Sequence, residues 1–277
     1  IFQWIISRFT QNPLIYISII YLLCASVLYK SIRNIYKGWQ QIYVLFIYFC
    51  FPFFYDYTFN VLRHGIAIVF LTLAYTFWEN KRHSVKFYTS LIVASLFHYS
   101  AIPFSILMMI VLSSKAGIKR YLILWFLAAL SFVTNLNTYL LNLGFVSKID
   151  AFNTYTNNSL ISHYGSINRT DFLLFSAFFL LLSLYLLKKI KLSSKHESTY
   201  TNIIKLYIAF NTLFLLFGFI AYSDRIVIYS WFIIPILVSY PILHNYKKSN
   251  LLLFTLILIS GCIGFFTSPI GDIFILQ

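Results

Sequence analysis

Acidic residues are the scarcest feature of this chain. Its 277 residues include 7 Asp and Glu and 21 Lys and Arg, so charged residues make up 10% of the sequence, compared with about 25% in soluble domains. A surface so poor in charge excludes a soluble globular protein of this size. The apolar segments also lack Asp and Glu at their centres, which argues against an ion-coupled transporter, because such transporters normally carry carboxylates there.

Motifs for cofactors are missing as well. The three cysteines, Cys24, Cys50 and Cys262, lie in apolar stretches without CxxC spacing or a neighbouring histidine, a pattern typical of small buried side chains rather than of metal ligands or disulfides. The sequence contains no glycine-rich loop, DxD, HExxH or carboxylate cluster that would bind a nucleotide or a metal. We therefore expect no cofactor and no metal.

Apolar residues, in contrast, dominate the chain. They make up 60% of it, and they recur in runs of 17 or more, which as helices are long enough to cross about 30 Å of hydrocarbon. The predicted fold class is all-α, a polytopic transmembrane bundle that forms a single integral membrane domain over residues 1–277. Eight ordinary spans are predicted, at residues 13–29, 41–59, 61–78, 121–143, 171–187, 203–222, 226–243 and 251–268.

A ninth apolar segment, residues 87–112, is irregular. It carries His98 and Pro103 near its middle, and proline there removes a backbone donor and clashes with the preceding turn. The segment could cross the membrane once as a broken span or return to the same side as a re-entrant hairpin. The hairpin places 16 of the 21 Lys and Arg residues on one face, as the positive-inside rule requires of the cytoplasmic side. The charge distribution therefore favours the hairpin.

The type of cation differs between the two predicted faces. The net charge of +14 does not indicate nucleic acid, because the basic clusters lie between spans, where the positive-inside rule and anionic lipid explain them. The five cations left on the outer face are four Arg and one Lys, whereas the inner sixteen are three Arg and thirteen Lys. Because the planar fork of arginine binds phosphate or carboxylate bidentately, the outer face is predicted to hold an anion.

The longest predicted outer connection is the periplasmic loop at residues 144–170. Connections of this length without periodicity are usually functional or disordered. Its amides, hydroxyls and aromatic rings suit sugars, although a plain solvated loop has a similar composition. The candidate glycan-binding residues in this loop are Tyr155, Asn158, His163 and Tyr164.

Ionisable residues at three other places are candidates for chemistry. Arg63 lies one turn into a span, where an ionisable residue is usually functional, although its side chain could instead snorkel to lipid headgroups. His98, at the break of the hairpin, could act as a general base or be a hydrogen-bonded structural histidine. Asp224 and Arg225, at the outer end of two spans, could line a site or form a local ion pair.

The stretch between residues 60 and 103 resembles a known family. The segments NVLRHGIA (60–67), WENKR (78–82), KF (86–87) and ASLFHYSA (94–101) are similar to the conserved block of the EpsG-type membrane proteins, which include Wzy-like polysaccharide polymerases. Asp224 and Arg225 followed by Tyr229 resemble a later Arg–Tyr element, and His64 stands where the family commonly has glutamine. The family usually has a further span before the part corresponding to residues 1–29, so we expect one to precede this chain, which lacks an initiator Met.

The resemblance implies a metal- and nucleotide-independent enzyme of the bacterial inner membrane. Such an enzyme joins oligosaccharide repeat units carried on undecaprenyl pyrophosphate at the periplasmic face, for O-antigen or exopolysaccharide synthesis. Arg63, Arg225 and Arg169 would bind the leaving pyrophosphate, because preorganised cations stabilise charge where it develops. The proton of the acceptor sugar would go to His98 or, failing it, to Asp224 or Asp56, while Asn60 and Tyr229 would contact glycan.

Two other classes of protein stay open at this point. A flippase or other transporter of lipid-linked oligosaccharide would also have many spans, but it is expected to carry cations along a central cavity from both sides. A membrane ligase or acyltransferase acting on the same polymers is the second alternative. The predicted partners are the lipid-linked donor and acceptor glycans, membrane lipid and a possible chain-length regulator.

Overall fold

The computed structural model of the chain describes residues 8–80, 84–142 and 167–245. Every regular element in these three stretches is a helix, as the apolar runs predict. The helices divide into two compact units, which we describe separately: the first holds the described residues up to Ile106, and the second those from Leu107 to Asn245.

The described residues of the first unit form six helices, the last of which continues into the second unit. Helix α1 starts after Asn12, whose side chain accepts a hydrogen bond from the backbone N–H of Leu14 at 2.9 Å and so caps the helix ahead of Pro13. The helices are α1 (Pro13–Ile35), α2 (Trp39–Cys50), α3 (Pro52–Phe59), α4 (Leu62–Asn80), α5 (Val85–Phe97) and α6 (Ala101–Ser113).

Cationic side chains gather at one end of the first unit. Lys30 of α1 and Lys86 of α5 each lie 5.9 Å from the ring centre of Phe77 in α4. Asn34 of α1 donates a hydrogen bond to Thr76 of α4 at 2.9 Å. The ends of α1 and α4 and the start of α5 therefore meet, which is the grouping that the charge distribution predicts. The side of the membrane that this end faces stays a prediction.

The predicted break in residues 87–112 is present between α5 and α6. The hydroxyl oxygens of Ser95 in α5 and Ser105 in α6 lie 3.3 Å apart, whereas residues ten apart in one continuous helix are separated by about 15 Å. The backbone of His98 is extended, with φ −148° and ψ 121°. The start of α6 therefore folds back against the end of α5, as a hairpin requires.

The prediction of one ordinary span over residues 41–59 needs correction. The chain bends by 70° between α2 and α3, and Pro52 is the first residue of α3. Because proline has no backbone N–H to donate, it cannot continue the hydrogen-bonding pattern of α2. The pair is a broken span or a second re-entrant segment.

The described residues of the second unit form five α-helices and one 3₁₀ helix. The predicted span over residues 121–143 is too long, because α7 ends ahead of Asn135, whose φ of 57° lies in the left-handed region. The elements are α7 (Ile118–Val133), the 3₁₀ helix Leu136–Asn142, α8 (Thr170–Lys189), α9 (Ser194–Phe217), α10 (Asp224–Trp231) and α11 (Ile234–His244).

Helices α7 and α9 run parallel to each other. The ammonium of Lys205 in α9 lies 6.0 Å from the ring centre of Tyr121 near the start of α7. The rings of Phe132 and Phe214, near the two helix ends, are 5.5 Å apart. The basic residues that precede and begin α7 therefore lie at the same end of the unit as those that begin α9, which again matches the predicted grouping of cations.

A buried polar cluster ties four helices of the second unit together. Asn211 of α9 accepts a hydrogen bond from the indole N–H of Trp125 in α7 at 2.7 Å, and it donates to the hydroxyls of Ser176 in α8 at 2.8 Å and Ser230 in α10 at 3.2 Å. The indole of Trp231 also donates to Ser176, at 2.9 Å. These five side chains form what we call the Asn211 cluster. Such mutually satisfied polar groups hold helices together where water is absent.

The described residues contain fewer long apolar helices than the eight spans predicted. Four are long and apolar enough to cross a membrane, and the bent pair α2–α3 would make five. Helix α7 is not among them, because its 16 residues span about 24 Å. The predicted span at 251–268 lies outside the described residues, as does most of the loop at 144–170. The four are Pro13–Ile35, Thr170–Lys189, Ser194–Phe217 and Asp224–His244.

Candidate functional site

The break between α5 and α6 holds the histidine predicted to act as a base. His98 and Ser100 are half-buried there, and Tyr99 between them is exposed. The Nδ1 atom of His98 accepts a hydrogen bond from the backbone N–H of Ser100 at 3.3 Å, and it lies 2.6 Å from the Ser100 hydroxyl oxygen. Because a backbone N–H can only donate, Nδ1 is an acceptor, and neutral His98 carries its proton on Nε2. The hydroxyl of Ser100 therefore donates to Nδ1 as well.

Aromatic rings on two sides orient the imidazole of His98. The ring of His64 lies 4.6 Å from it, centre to centre, and the ring of Tyr99 stacks on it at 5.1 Å. His64 is fully buried and meets the ring of Tyr57 edge-on at 5.2 Å. Contacts between rings thus connect α3 and α4 to the break.

Glycine at position 65 explains how α3 and α4 come so close. A Cβ atom on Gly65 would lie 2.2 Å from the carbonyl oxygen of Tyr57, a separation that van der Waals repulsion forbids. The absence of a side chain at this position therefore lets the first turn of α4 lie on α3, and it brings His64 against Tyr57. This gives a structural reason for the glycine in the NVLRHGIA segment.

Three further predicted residues lie next to this contact between α3 and α4. The carboxylate of Asp56 accepts a hydrogen bond from the side-chain amide of Asn60 at 2.7 Å. Asp56 is half-buried, whereas Asn60 and Arg63 are exposed. Asp56 directly precedes Tyr57, and Arg63 directly precedes His64. The structure therefore brings the 56–64 segment and His98 into one region of the first unit, at the end of α4 opposite Phe77.

In the second unit, Arg169 already has an anionic partner. Its Nε and Nη2 atoms donate to the two carboxylate oxygens of Asp171, at 3.1 Å and 2.5 Å. The guanidinium carbon also lies 4.0 Å from the ring centre of Phe172. A fork engaged in this way must give up Asp171 before it can bind a phosphate bidentately.

Arg225 has a different environment. Its guanidinium carbon lies 4.2 Å from the ring centre of Tyr222, a residue whose φ of 61° is left-handed. The Nε atom of Arg225 is buried and has no hydrogen-bond partner within the described residues. Asp224, half-buried, is the first residue of α10. Arg225 is therefore a cation with an unused donor, oriented by an aromatic ring.

Asparagines missed by the sequence analysis fix the start of α8 beside Arg169. Asn168 has a φ of 52°, and its side-chain amide donates to the carbonyl of Phe132 and to the side chains of Asn135 and Asn137, at 2.8–3.0 Å. Asn137 in turn donates to the carbonyl of Leu215 at 3.0 Å. The start of α8 is thereby tied to the ends of α7 and α9. An asparagine with a left-handed backbone before a helix resembles an ordinary loop residue in sequence, so no signal identified it.

The remaining predicted residues contribute less to the described geometry. Tyr229 is buried within α10, and its contact with glycan stays a prediction. No group of three or more His, Cys, Asp or Glu side chains within residues 8–80, 84–142 and 167–245 could hold a metal ion. Four of the predicted glycan-binding residues lie outside the described residues: Tyr155, Asn158, His163 and Tyr164.

Comparison with known proteins identifies the family. Neither the curated proteins nor the solved structures contain a match to this chain. The model of the EpsG family matches residues 1–273, which is nearly the whole chain. The block at residues 60–103 and the Asp224–Arg225 element both lie within the matched range. The chain belongs to the EpsG family.

Proposed function

We propose that this protein is a membrane polymerase that joins lipid-linked oligosaccharide repeat units by glycosyl transfer. Membership of the EpsG family suggests a polymerase-type role in polysaccharide biosynthesis. The substrates of the proposed reaction are repeat units carried on undecaprenyl pyrophosphate, and the product is an O-antigen or exopolysaccharide. The reaction takes place at the periplasmic face of the bacterial inner membrane.

The observation that carries this proposal is the environment of Arg225. A leaving lipid pyrophosphate gains negative charge as the glycosidic bond to it breaks, and preorganised cations at that point lower the barrier. Arg225 offers a buried Nε donor that no described residue uses, on a guanidinium held against Tyr222. We therefore place Arg225 and the exposed Arg63 first among the residues proposed to bind the pyrophosphate, and Arg169 third.

The remaining roles follow from the chemistry of the transfer. The hydroxyl of an acceptor repeat attacks the anomeric carbon of the donor, so a base must take its proton. His98 is the proposed base because its imidazole is half-buried and oriented, with Asp224 and Asp56 as alternatives. The proposed contacts to the glycan are made by Asn60, Tyr155, Asn158, His163, Tyr164 and Tyr229.

Lysine substitutions test the anion site. Arg63→Lys and Arg225→Lys keep the charge but lose the bidentate fork, so each should lower the polymerisation rate by about 10²–10³-fold, as the loss of one preorganised donor does. Arg169→Lys should cost far less, because the fork of this third-ranked residue is engaged by Asp171. Arg33→Lys is the matched control, because Arg33 is exposed in the last turn of α1 and lies outside the proposed site. Rates are measured with purified protein in liposomes. Parental rates for both Arg63→Lys and Arg225→Lys, with normal insertion, would contradict the assignment.

The proposed orientation is tested by labelling a cysteine at position 117. Gly117 precedes α7, and a Cβ atom there would meet no atom within 4 Å, so the substitution should not disturb the fold. The experiment uses a protein without other cysteines and an impermeant thiol reagent added to intact cells. If the hairpin returns to the cytoplasm, a cysteine at position 117 should stay unlabelled, whereas a cysteine in place of the exposed Asn60 should react. Labelling at 117 from outside would overturn the orientation.

Deletion of the gene, followed by gel analysis of the polysaccharide, separates the polymerase from the alternatives. A polymerase deletion leaves products with a single repeat. Loss of all repeats at the surface would indicate a flippase or an earlier assembly step, and unattached long polymer would indicate a ligase.

A further inference from the structure

The contact between Ser100 and His98 indicates a role for a residue that the sequence analysis did not single out. We propose that the hydroxyl of Ser100 relays the proton of the acceptor sugar to the Nδ1 atom of His98. This inference rests on the proposed function, because it concerns the proton that glycosyl transfer releases. It adds Ser100 to the catalytic residues.

The hydrogen bonds at the break decide which nitrogen of His98 can take a proton. The backbone N–H of Ser100 donates to Nδ1, so the lone pair of neutral His98 is on Nδ1, and Nε2 is already protonated. An acceptor hydroxyl that approached Nε2 would meet a donor and could not transfer its proton there. The basic atom of His98 is therefore the one that faces Ser100.

The Ser100 hydroxyl occupies the approach to that basic atom. Its oxygen lies 2.6 Å from Nδ1, so an acceptor hydroxyl cannot reach Nδ1 directly without displacing it. Rotating the imidazole to present another atom would break both contacts with Ser100. Ser100 is half-buried rather than buried, and its hydroxyl is the proposed bridge between the acceptor sugar and Nδ1.

The proposed step is balanced in atoms and charge. The acceptor oxygen forms a bond to the anomeric carbon of the donor and gives its proton to Oγ of Ser100. Ser100 passes its own proton to Nδ1, which makes His98 an imidazolium and ends the 3.3 Å hydrogen bond from the Ser100 backbone N–H to Nδ1. The bond between the anomeric carbon and the pyrophosphate oxygen breaks, and its electron pair leaves with the pyrophosphate. His98 later releases the Nδ1 proton through Ser100 to water or to the departing pyrophosphate.

A purely structural role for the Ser100 hydroxyl makes different predictions. Ser100 directly precedes α6, and serine side chains commonly stabilise the start of a helix. In that role, removal of the hydroxyl would lower the amount of folded protein but leave the rate of each folded molecule unchanged. The measurements must therefore separate folded yield from turnover.

Ser100→Ala and Ser100→Thr, with Ser95→Ala as the matched control, provide that separation. Ser95 is half-buried in the same hairpin, and its hydroxyl contacts Ser105 rather than His98. With purified protein in liposomes and a lipid-linked repeat as substrate, Ser100→Ala should lower kcat by about 10²-fold, the lower limit for a positioned acid–base group. KM and folded yield should change little, Ser100→Thr should recover part of the rate, and Ser95→Ala should be near parental.

Rates in mixtures of H₂O and D₂O add a readout that a structural role would not affect. Two protons move together in the relay, so the parental rate should curve with the deuterium fraction, and that of Ser100→Ala should become linear. A parental kcat for folded Ser100→Ala, while His98→Ala is inactive, would overturn the relay and leave the proposed function intact. No polymer from the parental protein, despite correct folding and substrate, would overturn the proposed function and the relay with it.

Discussion

Two polar groups of residues differ in burial: one lies within the apolar helices of the second unit, and the other lies at the break between α5 and α6 of the first. The Asn211 cluster of the second unit is almost entirely buried, and Asn211 uses both its oxygen and its amide in hydrogen bonds to neighbouring helices. The break at His98 and Ser100 in the first unit is half-buried and lies beside an exposed Tyr99. Polar groups are costly to place at membrane depth. We infer that the first polar group holds helices together, whereas under the proposed function the second takes part in proton transfer.

The two groups differ in how far their side chains are buried, rather than in residue type. A buried donor that already has its acceptors gains nothing from a ligand, and breaking its bonds costs about 1–3 kcal/mol per unsatisfied group. A half-buried imidazole with a fixed tautomer can change its protonation during a reaction without disturbing the helices around it. Substitutions in the two groups should therefore affect different measured quantities.

The largest expected effect is that of His98→Ala on turnover. Loss of a positioned base should lower the polymerisation rate by about 10²–10⁴-fold, with folded yield and substrate binding little changed. The base acts as neutral imidazole, so the parental rate should be highest at neutral to alkaline pH and fall as the pH drops through the imidazole range. The measurement is a pH–rate profile of purified protein in liposomes.

A histidine outside the break serves as the control for this variant. His196 of α9 is also half-buried and lies 2.8 Å from the Tyr240 hydroxyl. His196→Ala should keep the parental rate per folded molecule and the parental pH profile. Equal losses for both histidines would remove the distinction between the break and the rest of the molecule.

The smallest expected effect is on stability, from Asn211→Leu. This substitution leaves the Trp125 indole without its acceptor and removes one donor from each of two serine hydroxyls, which keep their contacts with Trp231 and the Val227 carbonyl. The free energy of unfolding should therefore fall by about 1–3 kcal/mol, while the rate per folded molecule stays near parental. Thr212→Val is the matched control, since among the described residues the Thr212 hydroxyl bonds only a carbonyl of its own helix, at 2.8 Å. This substitution should cost less than about 0.5 kcal/mol. Unfolding in detergent with increasing denaturant measures both. An Asn211→Leu protein of parental stability but low rate would reverse the comparison.

The sequence predicted the features that depend on local composition. The all-helical architecture follows from long apolar runs, and the break at His98 follows from polar residues and Pro103 within such a run. The charge distribution also predicted that Lys30 and Lys86 would meet at one end of the first unit, as they do around Phe77. The first two signals lie in short stretches of chain, and the third is the distribution of charge over the whole sequence.

Features that depend on distant contacts could not be predicted. Trp125 and Asn211 are 86 residues apart in sequence, and nothing in either segment indicates their pairing. The same holds for the contact of His64 with His98. The engagement of Arg169 with Asp171 could not be predicted either, because it depends on side-chain conformations.

Local backbone geometry accounts for the remaining differences. The bend between α2 and α3 is located at Pro52, within a run that is apolar enough to read as one span. Asn135 ends α7 early by adopting a left-handed backbone, although asparagine is also compatible with a helix. Hydropathy alone does not distinguish a continuous span from a bent one of the same composition.

The rate and stability of His98→Gln test the central claim most directly. Glutamine keeps a polar side chain that can hydrogen-bond at the break, but it cannot accept a proton at neutral pH. The account predicts that purified His98→Gln unfolds at the parental denaturant concentration, inserts normally and polymerises a lipid-linked repeat at least about 10²-fold more slowly than the parent. A well-inserted His98→Gln protein with the full parental rate would contradict it.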